Sequence, residues 1–175
     1  IRYYYGMYDK TWSDKIFKAF EIGIPLVKGS DFRKEALDIM INISSAFTSN
    51  YYYQKGFKEQ REKIEGYLKG LLKEKNEYAR YYYTIGYNYY YGYYGYTEKV
   101  DYMKKAEENF LLVVKEFPDG DYYADCVLML NYIYSSKQDF KKALAILEEA
   151  KKKLSITSKR FYEIGNAIAA ITNPQ

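Results

Sequence analysis

Histidine is absent from the 175 residues, and cysteine occurs once, at Cys126. The first absence removes the commonest general base and the commonest transition-metal ligand. The second excludes an internal disulfide and a cysteine-built metal cluster, and leaves Cys126 as an inert packed thiol. No phosphate-cradling glycine loop, HExxH or CxxC is present. Asp119-Gly120-Asp121 lacks the spaced carboxylates and terminal glutamate of a calcium loop and reads as a helix stop and N-cap. Glu107-Glu108 and Glu148-Glu149 read as solvated helix faces. No catalytic residue, metal or cofactor is therefore expected, and the chain is not expected to be an enzyme.

Long apolar runs are missing too. None reaches the roughly 18 consecutive residues of a membrane span, so no transmembrane segment is expected. No signal peptide is visible, and the chain opens at Ile1 without methionine, which reads as a processed or trimmed end. The net charge of +4 is mild. Lysines and glutamates alternate along the chain as they do on solvated helix faces, which argues against a nucleic-acid partner.

Tyrosine, by contrast, is abundant: 25 residues, many in clusters at positions 3–5, 51–53, 81–83 and 89–91, followed by Tyr93, Tyr94 and Tyr96. With 48% hydrophobic and 29% charged residues, the remainder of the composition is that of one globular domain.

Apolar spacings of three and four predict helices throughout. Val100, Met103, Ala106, Phe110, Val113, Val114 and Phe117 share one face, and Pro118-Asp119-Gly120 ends that helix. Ala124 to Tyr134, Phe140 to Leu154 and Phe161 to Ile171 follow. Toward the N-terminus, helices are expected over Asp14 to Lys28, bent or ended early by Pro25, over Asp31 to Tyr53 with Asp31 as N-cap, over Lys58 to Lys75 and over Glu77 to Tyr91. No strand is expected, because the tyrosine runs sit inside helical periodicity.

The helices repeat. Val127, Leu130, Asn131 and Tyr134 correspond to Phe161, Ile164, Gly165 and Ile168 at an offset of 34 residues. Tyr82, Ile85, Gly86 and Tyr89, then Ala106, Phe110, Val113 and Pro118, form the preceding unit; Ala143, Leu147 and Ala150 complete the middle one. Met40, Ile43, Ser44 and Phe47 with Ile64, Leu68 and Leu71 form an earlier, weaker unit. Asn131 departs from the small residue that the pattern places there. Period and pattern resemble the tetratricopeptide (TPR) repeat, in which small residues let two helices approach and large ones fill the gaps.

That resemblance implies an all-α fold: a right-handed α-solenoid of TPR-like antiparallel helix hairpins filling a single domain over 1–175. Its units are 1–30 (partial), 31–75, 77–118, 121–155 and 157–175 (partial). Tyr3-Tyr4-Tyr5-Gly6 resembles Tyr89-Tyr90-Tyr91-Gly92, and the last helix reads as a cap or a cut edge. Ala79 to Ala106 spans 27 residues against 19 for Ala124 to Ala143, an excess expected as about one turn in each helix. Long hairpins with a break like that at Pro118 are similar to TPR lipoproteins of the bacterial envelope, such as the BamD-type outer-membrane assembly lipoproteins and the periplasmic TPR coordinators. Periplasmic or outer-membrane-anchored placement follows from that likeness.

In TPR proteins the first helix of each hairpin lines a concave ligand groove. The resemblance carries that role to Arg80, Tyr83, Tyr87, Tyr90 and Tyr91; to Asp125, Leu128, Tyr132, Ser135 and Ser136; and to Lys159, Tyr162, Asn166, Ala169 and Ala170. Only Asn166 and Lys159 match the carboxylate-clamp type, so a chaperone C-terminus is not expected as ligand. Three readings of the tyrosines stay open: packing filler in a lysine-, glutamate- and tyrosine-rich chain of thermophilic character, a peptide or protein groove, or an aromatic platform for sugars or single strands. The functional expectation is a non-enzymatic scaffold for a peptide or protein partner, with a small-ligand or glycan-binding accessory protein of an uptake system as the alternative. The oligomeric state is left open.

Overall fold

A computed structural model of the chain describes residues 10–48, 57–93 and 102–173. Among these residues there are eight helices and no strand, as the periodicity predicts. They are α1 (Lys10–Val27), α2 (Arg33–Thr48), α3 (Phe57–Leu71), α4 (Lys75–Tyr93), α5 (Tyr102–Glu116), α6 (Tyr123–Ser136), α7 (Phe140–Lys153) and α8 (Lys159–Thr172). None of the described helices is long and apolar enough to cross a membrane. The tyrosines at positions 3–5 and 51–53, with Tyr94 and Tyr96, lie outside the described residues.

Helix ends follow local chemistry, with some departures from expectation. Pro25 falls in the last turn of α1, which ends two residues later. Helix α2 begins at Arg33 rather than at Asp31, after a turn in which the Arg33 N–H donates to the Ser30 carbonyl at 3.2 Å. Asp121 does not cap α6. Tyr122 holds that position without a side-chain bond, and the Asp121 carboxylate instead accepts from the Asn76 amide at 2.5 Å. Asp139 and Ser158 are true N-caps, accepting from the N–H groups of Lys142 and Phe161 at 3.2 and 3.1 Å. Over the described residues α4 spans 19 residues against 14 for α6, and α5 spans 15 against 14 for α7. Residues 94–101 lie outside the described residues.

Most helices pack against the next one in sequence, most extensively α4 on α5 and α6 on α7. The exception is instructive. Only three residues join α3 to α4, yet α4 makes its close backbone approach to α2. Arg33 holds this arrangement. Its side chain is 8% exposed and forms a two-pronged bond with Glu77 at 2.9 and 2.8 Å, while Nη1 also donates to the Leu71 carbonyl at 2.8 Å. The same Glu77 carboxylate accepts from the N–H groups of Lys73 and Glu74 at 2.8 and 3.2 Å. One ion pair thus ties α2 to α4, satisfies the last carbonyl of α3 and shapes the joining loop. Breaking such a buried pair from one side costs about 3–5 kcal/mol.

Close packing explains the small residues. Ala106 and Ala143 are fully buried, and Gly86 is buried against Phe110, whose ring lies 2.8 Å from where a Cβ would stand. Gly165 is only half-buried, and a Cβ there would meet the Lys151 ammonium at 3.6 Å, so that crossing is looser than the repeat pattern predicts. On α4 the buried face is Tyr81, Ile85 and Tyr89. Tyr82, expected in the core, is instead half-buried at its edge under the Lys69 ammonium, 5.9 Å from the ring centre. Cys126 is fully buried and its thiol is pushed well up by desolvation, in line with an inert packed group.

Two tests follow from this packing. Gly86→Ala is expected to destabilise, because overpacking on the order of 1–3 kcal/mol outweighs a helix-propensity gain of about 1 kcal/mol. Gly66→Ala, on an open face of α3, is expected to stabilise by about 0.5–1 kcal/mol. Denaturant midpoints check both. The hydrogen bond from Arg33 holds the Glu77 carboxyl down from its ordinary 4.5 to about 2, against the opposing effect of burial. Stability from this group is therefore full above about pH 4.5 and lost as pH falls through about 2. Unfolding free energy should fall less steeply in Glu77→Gln than in the parent over that window, from a lower starting value. Parallel curves would remove the linkage.

Candidate functional site

The sequence-predicted groove residues lie on α4, α6 and α8. On α4 the spacing of four sets Tyr83, Tyr87 and Tyr91 in a row, with ring centres 5.8 and 4.4 Å apart. The inner end of the row is anchored: Tyr83 is half-buried, stacked on Tyr122 at 5.1 Å and 6.2 Å from the Phe110 ring. The outer end is open, with Tyr87 and Tyr91 exposed at 38% and 50%. Tyr90 packs partly into the core, its ring edge-on to Tyr91 at 5.2 Å.

Burial, with the nearby Asp125 charge, pushes the Tyr83 hydroxyl up to about 12. The Tyr87 hydroxyl is raised chiefly by its hydrogen bond with Tyr91. These phenols stay neutral at any physiological pH and act as apolar faces with polar tips rather than as acids.

Side chains tie the alternate helices together. Arg80 of α4 pairs with Asp38 of α2, and Arg160 of α8 pairs with both Asp125 of α6 and Glu163 on its own helix. Arg160, hydrogen-bonded first to Glu163, has its guanidinium pKa raised, and Glu163 is lowered in return. Lys159 is almost fully exposed and also reaches Glu163, at 3.3 Å. Arg80, Asp125 and Lys159 are thus engaged in ion pairs.

Between α6 and α8 a trough of about 930 Å³ opens. Its apolar surface is Leu128, Ala167, Ala170 and Ile171, with Tyr132 and Phe140 beside them, exposed at 54% and 48%. Its polar groups are Asn131, Ser135, Arg160, Glu163 and Asn166. The trough gathers Leu128, Tyr132, Ser135, Asn166 and Ala170, five of the positions to which the repeat pattern gives a ligand-facing role. It does not include Tyr162, which is 63% exposed with its ring edge-on to Phe161 at 5.8 Å. Nor does it include the α4 tyrosines.

Sequence reasoning missed Phe140, Arg160, Glu163, Ala167 and Ile171 as lining residues. It missed Asn131 as well, although its misfit to the repeat was a visible signal. A second hollow, of about 900 Å³, runs beside Tyr78, Tyr82, Leu111 and Leu112 and contains none of the predicted residues. Among the described residues no group of three or more His, Cys, Asp or Glu could hold a metal ion.

No family model, no curated protein and no solved structure matches this chain.

The packing separates structural from exposed tyrosines. Tyr83→Ala is expected to cost on the order of 2 kcal/mol, from lost burial and ring contacts. Tyr132→Ala should stay within about 0.5 kcal/mol of the parent. Thermal or denaturant unfolding distinguishes them, and equal losses would mean that Tyr132 is a packing residue.

Proposed function

We propose that the chain is a scaffold of the TPR type, a right-handed solenoid of antiparallel hairpins that binds a peptide or protein partner on the face formed by α2, α4, α6 and α8. The observation that carries this reading is the exposed aromatic surface of Tyr87, Tyr91 and Tyr132 on helices whose own contacts are already satisfied. Exposed aromatic residues on otherwise polar helix faces mark interaction sites, and tyrosine offers large contact area with few rotors. The offset of 34 residues between α6 and α8 and the ion pairs linking alternate helices support the repeat reading. Under it the scaffold is non-enzymatic and serves an assembly of the bacterial envelope.

A second reading, a small-ligand or glycan-binding accessory protein, is favoured by one observation. The trough volume of about 930 Å³ lies within the range of about 300–1,000 Å³ common for small-molecule sites.

Affinity capture with the full chain, followed by calorimetry with the captured protein, tests the first reading. Replacing Tyr87 and Tyr132 together by alanine is expected to preserve the helical circular-dichroism spectrum and to weaken binding by about 2 kcal/mol per residue. An unfolded double variant would make these tyrosines packing filler. A folded one with unchanged Kd would move the site to another face.

A further inference from the structure

Among the described residues, tyrosine is exposed at Tyr87, Tyr91, Tyr132 and Tyr162. Two of these meet each other. Tyr87 and Tyr91 lie one turn apart on α4, with ring centres at 4.4 Å and planes at 43°. Contacting aromatic rings usually stand about 4.5–7 Å apart, so this pair is at the short limit. It approaches the spacing of two rings joined directly by a single bond. Neither Tyr132, in the trough wall with Phe140, nor Tyr162, edge-on to Phe161, has a tyrosine partner of this kind.

The two hydroxyls are hydrogen-bonded to each other. Hydroxyls in contact and ring centres this close bring the neighbouring ring carbons, Cε of each residue, face to face. Those are the carbons on which a tyrosyl radical carries unpaired electron density. Both phenols are neutral at physiological pH, so each loses its hydroxyl proton to solvent along with the electron, and exposure of both rings permits that loss.

We propose that Tyr87 and Tyr91 are a site of oxidative modification, at which a one-electron oxidant of the haem-peroxidase class joins the two rings as dityrosine. Each phenol gives up one electron and its hydroxyl proton. The two radicals pair in a new bond between the Cε carbons. The hydrogens on those carbons then move to the oxygens, which restores both phenols. Two electrons and two protons leave in all, and they reduce one hydrogen peroxide to two waters. The product fixes the outer end of the α4 row as one rigid biaryl. The site stands whether or not the scaffold reading holds.

Peroxidase with hydrogen peroxide, applied to the dilute full chain under conditions that couple free tyrosine, is the test. The monomer is expected to gain dityrosine fluorescence and to lose the mass of two hydrogen atoms. Trypsin leaves both residues in one peptide, Tyr81 to Lys99, and the cross-link should suppress backbone fragment ions between positions 87 and 91. Tyr87→Phe and Tyr91→Phe keep a ring but no phenol, and each should lose most of the monomer signal with an unchanged circular-dichroism spectrum. Tyr132→Phe and Tyr162→Phe should keep it. A monomer that stays uncoupled, cross-links found only between chains, a bridge mapped to other tyrosines, or full signal in both the Tyr87 and Tyr91 variants would each overturn the proposal. Affinity capture of a partner judges the scaffold reading separately.

Discussion

At Gly86 the Phe110 ring occupies the space that any Cβ would need, 2.8 Å away. The absence of a side chain at Gly86 lets α4 meet α5 closely at this point, with Gly86 facing Phe110. With Gly86 turned inward, Tyr81, Ile85 and Tyr89 are buried while Tyr87 and Tyr91 face solvent. The same contact places Phe110 against the half-buried Tyr83, which in turn stacks on Tyr122 at the start of α6. This close crossing thus separates the tyrosines that are buried from those that remain exposed.

Charge does a different task. The Arg33–Glu77 pair is deeply placed and shared among three elements, so its value is positional: it steers α4 toward α2 after a loop too short to choose that direction by itself. The pairs Arg80–Asp38 and Arg160–Asp125 repeat the theme at more exposed sites, where each adds little stability but links alternate helices along one face. These charges are mutually satisfied within the fold.

Asn131 and the packing of α8 belong together. At the α4–α5 crossing a glycine is required by the Phe110 ring, whereas at Gly165 a side chain would find ordinary room beside Lys151. The repeat position is under steric constraint in one unit and relaxed in another. In α6 it carries Asn131, which is largely buried and whose side-chain oxygen accepts from the Ser135 hydroxyl at 3.3 Å.

Helix number, approximate ends and most of the buried faces were legible in the sequence. They depend on interactions between residues three and four apart, and these are local. The separation of Ala106, Ala143, Leu147 and Ala150 as buried positions was legible for the same reason. Tyr81 and Tyr82 could not be separated, because adjacent residues on a helix differ by about 100° and only the position of the neighbouring helix selects between them. Capping by Asp31 and Asp121 was a local expectation overridden by longer-range contacts, in the second case by Asn76, 45 residues away. The trough was half legible: Leu128, Tyr132, Ser135, Asn166 and Ala170 lie on one register of the repeat, but Phe140, Arg160 and Glu163 join them only because α6, α7 and α8 meet at particular angles. Periodicity by itself determined which side of each helix is apolar. Tertiary packing decided which of the tyrosines were consumed in the core and which were left exposed to solvent.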